Sequence, residues 1–264
     1  MATVPEPACD PALSRPAMTP TPLPTDRRFE TTRWFMVTQS AGCDAGDARG
    51  ALVDLCLRYW YPVYAYVRRC GHAPPIAEDI TRGFLQHLFR HFSEDAAGRS
   101  QARFRPYLLA RLNAFLASDW REVEPDAEAE PAPELDQAPS DLEHRNRRDN
   151  ARAQSPGEAY QRSFALEVIA RAFGRLRSEA RETGNLAMFE ALEPFLADEP
   201  GPGQYEELAR RLGRRPLGLV VALRRLRQRF RELTGEELAD TVCSADELHA
   251  EQQALYAILC EAAP

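Results

Sequence analysis

The chain has no lysine: all 33 of its basic residues are arginine. Each fixed positive charge is therefore a planar guanidinium fork, suited to bidentate contact with phosphate or carboxylate. It also lacks any apolar run approaching the ~18 residues a membrane-spanning helix needs, which argues against a helical membrane protein. The first residues, MATVPEPACDPALSRPAMTPTPLPTD, have no hydrophobic middle of the kind a secretory signal carries, so a cytoplasmic protein with no membrane partner is predicted. The six cysteines (Cys9, Cys43, Cys56, Cys70, Cys243 and Cys260) form no CxxC pair, which removes the usual zinc and redox spacings and predicts reduced thiols. His87 and His91 stand one helical turn apart, but no further ligands stand at a supporting spacing. Neither a metal nor any other cofactor is expected. No glycine-rich phosphate loop or nucleophile elbow occurs, and no enzyme activity is predicted.

What the 264 residues do contain is helical periodicity, broken twice by segments without it. Residues 1–26 are rich in Pro, Thr and Ala and read as a disordered leader. From 27 to 122 four helices are predicted. The second spans about 47–70, with Leu52, Leu55, Cys56, Tyr59, Val63, Tyr66 and Val67 facing inward, a kink at Pro62 and a stop at Gly71. The third carries Ile76, Ile80, Phe84, Leu88 and Phe92. The fourth, FRPYLLARLNAFLASDW, buries Tyr107, Leu108, Leu112, Phe115 and Leu116. Residues 123–154, acidic first and basic later with prolines throughout, read as a flexible linker. A second helical unit, 155–243, opens on the capping box of Ser155 and Glu158 and runs to Gly184, followed by a shorter helix within LAMFEALEPFLA. TGEELADTV is predicted to form a separate capped helix, and 244–264 a C-terminal one with Leu248, Leu255, Ile258 and Leu259 along one edge. The fold class that follows is all-α: two small helical domains joined by a flexible linker.

Charge is distributed unevenly along this chain. The formal net charge is -7, yet Gln204 to Arg231 holds nine arginines against two glutamates, leaving -14 for the remainder. Within that segment, Tyr205–Leu212, Gly213 and Pro216–Leu233 have the layout of a helix-turn-helix. Winding the second helix at 100° per residue aligns Leu219, Leu223, Leu226 and Phe230 as a core stripe. The opposite face presents Leu217, Val221, Arg224 and Gln228, flanked by Val220, Arg227 and Arg231, with Arg214 and Arg215 before its start. A duplex is the polyanion whose major groove admits one helix, so this face is predicted to bind DNA. Arg224 and Gln228 would offer hydrogen bonds to base edges, and the flanking arginines would meet phosphates. The apolar residues Leu217, Val220 and Val221 would meet thymine methyls or a partner helix. The alternatives are a solvated basic surface or a site for an acidic protein.

Six pieces in this order, TTRWFMV, LRYWYPVYAYVRRCGH, AEDITRGFL, FRPYLLARLNAFLA, MFEALEPFL, and ELARRLG with VALRRLRQRFREL, resemble the extracytoplasmic-function (ECF) sigma factors of the sigma-70 class. The likeness is to a branch whose members often begin TTRW and lie near serine/threonine kinases. It spans about Glu30 to the C-terminus. The resemblance implies that 27–122 is a region 2-like domain that binds the clamp of core RNA polymerase and the minus-ten element. It implies that 155–243 is a region 4-like reader of the minus-thirty-five element, and that transcription initiation at specific promoters is the function. The family's clamp-binding helix often reads AEDLTQEFF; here Glu78, Asp79, Thr81 and Phe84 keep matching positions, while Arg82 and Gly83 replace Gln and Glu. That exchange removes one negative charge and adds a positive one, weakening attraction to a basic clamp. Phosphorylation at Thr81 would restore negative charge there; the alternative is that Thr81 is an ordinary helical hydroxyl. Arg99, Arg103 and Arg105 match the loop that meets the non-template strand. The partners implied are core RNA polymerase, promoter DNA, and a serine/threonine kinase or anti-sigma regulator. The competing reading is a sigma-like DNA-binding regulator or adaptor that no longer engages core polymerase efficiently.

Overall fold

The computed structural model describes residues 32–38, 45–91, 103–118, 138 and 141–261, so the leader 1–26 lies outside it. All regular structure among the described residues is helical. The elements are α1 (Arg33–Thr38), α2 (Ala45–Arg69), α3 (Pro74–Arg90), α4 (Phe104–Ala117), α5 (Leu142–Asp149), α6 (Pro156–Glu182), α7 (Leu186–Leu192) with a 3-10 turn Glu193–Phe195, α8 (Gln204–Leu212), α9 (Pro216–Ala239) and α10 (Ala245–Glu261). No described helix is long and apolar enough to cross a membrane.

The central helix α2 departs from the sequence reading in being buried nearly all round. The inward set is buried apart from half-buried Tyr66, but Trp60, Tyr61 and Tyr64 on other faces are buried too. Apart from Arg58, the stretch LRYWYPVYAYV is apolar or aromatic, and such a helix needs neighbours on nearly every side. They are α1, α3 and α6. One core therefore holds Trp34, Tyr59 and Phe104 together with Tyr160, Phe164 and Val168 of α6. Tyr59 sits edge-on to Phe104 at 4.9 Å and stacks on Phe164 at 5.2 Å, contacts worth about 0.5–1.5 kcal/mol each beyond burial. Helices assigned to separate units by sequence are thus packed together. The helix-turn-helix end keeps a small core of its own, made by Ala191, Leu192, Leu208, Ala209, Leu219 and Leu223. Helix α2 runs on through Pro62 without ending there.

Part of the expected flexible linker 123–154 is ordered helix. Helix α5 carries almost no apolar surface, with Leu142 its one buried hydrophobic, and it docks on α2 through polar contacts instead. Arg68 donates to both carboxylate oxygens of Glu143 at 2.8 and 2.9 Å, Tyr64 donates to Glu143 at 2.8 Å, and Tyr61 donates to Asp149 at 3.0 Å. Hydrogen bonding from Arg68, against an opposing effect of burial and aided by Arg147 and Tyr64, pulls the Glu143 carboxyl down to about 2. Hydrophobic periodicity carries no signal for a helix held this way.

Helix ends follow the caps. Ser155 Oγ accepts from Glu158 N–H at 3.1 Å, while the Glu158 carboxylate accepts from Gln154 N–H at 2.8 Å. At the other end of α6, Gly184 takes φ +70° and Asn185 N–H closes onto Ala180 O at 2.8 Å. The separate TGEELADTV helix is not formed; α9 continues through Gly235 to Ala239. A helical glycine costs about 1 kcal/mol against alanine, but burial of Leu233, Glu237 and Leu238 beyond and before it holds the helix straight through. Ile76, read as core, is an exposed residue at the start of α3, and Phe92 lies outside the described residues. Burial pushes the Cys56 thiol up to about 12.

Candidate nucleic-acid interface

Helix α8 ends where Gly213 adopts φ +62°, and Arg214 N–H returns to Ala209 O at 2.9 Å. This left-handed turn, which glycine enters without a side-chain penalty, redirects the chain into α9 at Pro216. Leu208 and Ala209 of α8 then pack against Leu219 and Leu223 of α9. With that side occupied, the other side of α9 is turned outward. Leu217 is 74% exposed, Val220 42% and Val221 44%, beside exposed Arg214, Arg215, Arg224, Gln228 and Arg231.

The nine arginines are not equivalent once their partners are known. Arg210, Arg211, Arg214, Arg215, Arg224 and Arg225 are exposed, and their side chains make no hydrogen bond or ion pair with any described residue. Arg227 is different. It is half-buried, donates to Phe195 O at 2.7 Å and Asp198 O at 2.8 Å, and pairs with Glu199. Its assignment as a phosphate contact is therefore corrected: it braces α9 against the 193–199 turn by taking up the carbonyls of Phe195 and Asp198. Arg229 is clamped by Glu179 at 2.7 Å and also meets Glu232 and Glu236. Arg231 donates to Gln228 Oε1 at 2.8 Å, and Gln228 donates to Glu232 at 3.0 Å, so these two side chains are linked to each other on the surface. Uncompensated positive charge is concentrated at the α8–α9 turn and the first half of α9.

The N-terminal candidates fall elsewhere. Glu78 is half-buried and Asp79 exposed on α3, where Arg82 pairs with Asp79 at 3.0 Å. Phe84 is 1% exposed and packs on Phe115 with ring centroids 5.6 Å apart, so it belongs to the core and not to a docking surface. Thr81 is fully buried and donates to Ala77 O at 2.7 Å. Its hydroxyl satisfies itself within the helix, and a phosphoryl group has no route to it while α3 is packed. A Cβ on Gly83 would meet only the Phe115 ring at 3.8 Å, an ordinary contact, so space does not demand glycine there. The His87 and His91 rings lie 4.4 Å apart, and among the described residues no group of three or more metal-ligating side chains occurs.

Arg99 lies outside the described residues. Arg103 and Arg105, read as strand contacts, both point to Glu251 of α10. Arg103 Nη1 donates to one carboxylate oxygen at 2.8 Å, and Arg105 Nη2 stands 2.8 Å from the other while its guanidinium lies over the Phe164 ring. Glu251 is 1% exposed. The sequence reading missed this residue and Glu237, which receives Arg58 and Arg175 at 2.9 Å each. The signal was there: Glu251 sits three residues after Leu248 and four before Leu255, and Glu237 four after Leu233, so each places a carboxylate on an apolar stripe. A buried charge needs a charged partner, and arginine is the only permanently cationic side chain in the sequence.

Comparisons with protein-family models, with curated proteins and with solved structures find no match to this chain.

Proposed function

We propose that this chain is a promoter-recognition subunit of the ECF sigma type, which places the first half of α9 in the major groove of promoter DNA. The observation that carries the reading is the combination at one turn: an outward apolar ridge of Leu217, Val220 and Val221, bordered by Arg214, Arg215 and Arg224 without protein partners. A solvated surface helix gains nothing by exposing three branched apolar side chains in a row. A groove lined with thymine methyls and edged by phosphates complements both parts of the patch. Arg214 and Arg215 act on phosphates, Arg224 on base edges. The helix-turn-helix has its own small core, so it presents this face as a rigid unit.

Under this reading the α1–α4 end engages core polymerase. The exposed carboxylate of Asp79 is already paired with Arg82, which favours a second reading in which the protein binds DNA but holds polymerase weakly. The two readings separate in one experiment, in which purified core polymerase is titrated with the protein and run-off transcription is measured on DNA selected by the protein. Retention on core together with specific initiation supports the sigma role. DNA selection without core retention replaces it with the regulator.

A further inference from the structure

We propose that the C-terminal segment, from the end of α9 through α10, is an autoinhibitory clasp in which Glu251 occupies the anion site formed by Arg103 and Arg105. This inference rests on the reading of those two arginines as contacts to single-stranded DNA, and adds how they are regulated. Three independent attachments tie the segment to the N-terminal helices. The carboxylate of Glu251 takes both arginines. Backbone carbonyls at the α9–α10 turn cap two helix starts: Trp34 N–H donates to Asp240 O at 3.0 Å, and Phe104 N–H to Thr241 O at 3.2 Å. The Asp240 side chain pairs with Arg58 at 3.0 Å and with Arg33, and Thr32 donates to Val242 O at 3.1 Å. Cap, turn and carboxylate thus converge on the short stretch that holds Arg103, Phe104 and Arg105.

The chemistry of the contact suits a latch better than a permanent joint. A buried ion pair gives back in attraction roughly what it loses in desolvation, so apolar residues of similar size would hold α10 at least as firmly. What the carboxylate adds is exchangeability, because a phosphodiester offers the same guanidinium pair the same kind of charge-assisted hydrogen bond. The contact is also incompletely satisfied. Arg105 Nε has no hydrogen-bond partner among the described residues, while Glu251 Oε2 meets Arg105 through Nη2 alone. While Glu251 is in place, the Arg105 side chain is 8% exposed against 34% for Arg103, so a DNA backbone cannot engage both arginines without moving α10. A strand that binds there must therefore displace the helix, and protein with α10 displaced must bind the strand more tightly.

The test uses the full chain and two labelled probes, a 12-nucleotide single strand and a duplex, at fixed salt. Glu251→Gln is expected to raise single-strand affinity about tenfold, as two arginines become available to phosphates. Adding Arg103→Gln is expected to remove most of that gain. Duplex binding through α9 is expected to be the same in all three proteins. Unchanged single-strand affinity in the folded Glu251→Gln protein, with duplex binding intact, overturns the clasp alone. Loss of duplex binding in every protein overturns the α9 reading alone. Hydrogen exchange on the unmodified protein guards against a misfolded variant: single strand is expected to raise exchange over 245–258 and at the Phe104 amide. Binding of the strand with protection there unchanged also overturns the clasp.

Discussion

Arg58 of α2 donates to Glu237 of α9 at 2.9 Å, in a contact where both side chains are largely buried. It joins the central helix of the N-terminal bundle to the far end of the helix whose first half carries the proposed DNA face. Arg175 of α6 meets the other oxygen of the same carboxylate at 2.9 Å. Three helices therefore share one buried carboxylate; without it Arg58 keeps only Asp240 at 3.0 Å and Arg175 only Glu236. Glu237→Gln is expected to destabilise the protein by about 1.5–3 kcal/mol, read as a lower urea midpoint. Because α2 and α6 share a core, that loss is expected in one cooperative transition.

Two arginines three residues apart on α9 are expected to behave oppositely. Arg224→Gln should leave thermal stability within about 0.5 kcal/mol of the parent, since an exposed side chain without partners contributes little, and should weaken duplex binding. Arg227→Gln removes donors to Phe195 O, Asp198 O and Glu199, and should lower stability by about 1.5–3 kcal/mol. A paired measurement of melting temperature and DNA affinity distinguishes them.

Gly83 lies inside α3 with ordinary room for a methyl group. Gly83→Ala is expected to stabilise the protein by about 0.5–1 kcal/mol, by restricting the unfolded chain and restoring helix propensity. Urea denaturation checks it. If the substitution instead weakens binding to core polymerase, the α3 surface is an interface that a methyl group disturbs.

The attachment of α5 is expected to be acid-sensitive. Glu143 is held down to about 2, below its ordinary 4.5, by Arg68 in the first place. A carboxylate whose folded pKa is depressed contributes its full stability above the unfolded value. That contribution is lost as pH falls from about 4.5 through about 2. Amide exchange over 142–149 should accelerate across that window in the parent. In Glu143→Gln it should already be fast at neutral pH.

The helices α2, α3, α4, α6, α8 and α10 were legible from periodicity and caps, since each buries an apolar stripe or closes on a glycine with positive φ. Residues 142–149 were not, because ion pairs and tyrosine hydroxyls hold them and leave no apolar period to read. Nor was the union of the two helical units. Sequence gives the faces of a helix but not which neighbour fills them, although aromatic residues on every face of α2 implied more neighbours than α1, α3 and α4 supply. At the candidate interface the exposed ridge and Arg224 were legible by helical winding. The brace made by Arg227 was not, since it depends on where the 193–199 turn comes to rest. Thr81 matches a motif by position, and only packing showed that its side chain faces the core, whereas Phe84 already stood on the apolar stripe of α3.

The most direct measurement is the salt dependence of duplex binding for the parent and for the Arg214→Gln, Arg215→Gln double variant. Each phosphate neutralised contributes about 0.9 to the slope of log affinity against log salt. The double variant is expected to bind more weakly and to lose about 2 from that slope, with its melting temperature unchanged. Equal affinity and equal slope in the two proteins would contradict the placement of the α8–α9 turn on DNA.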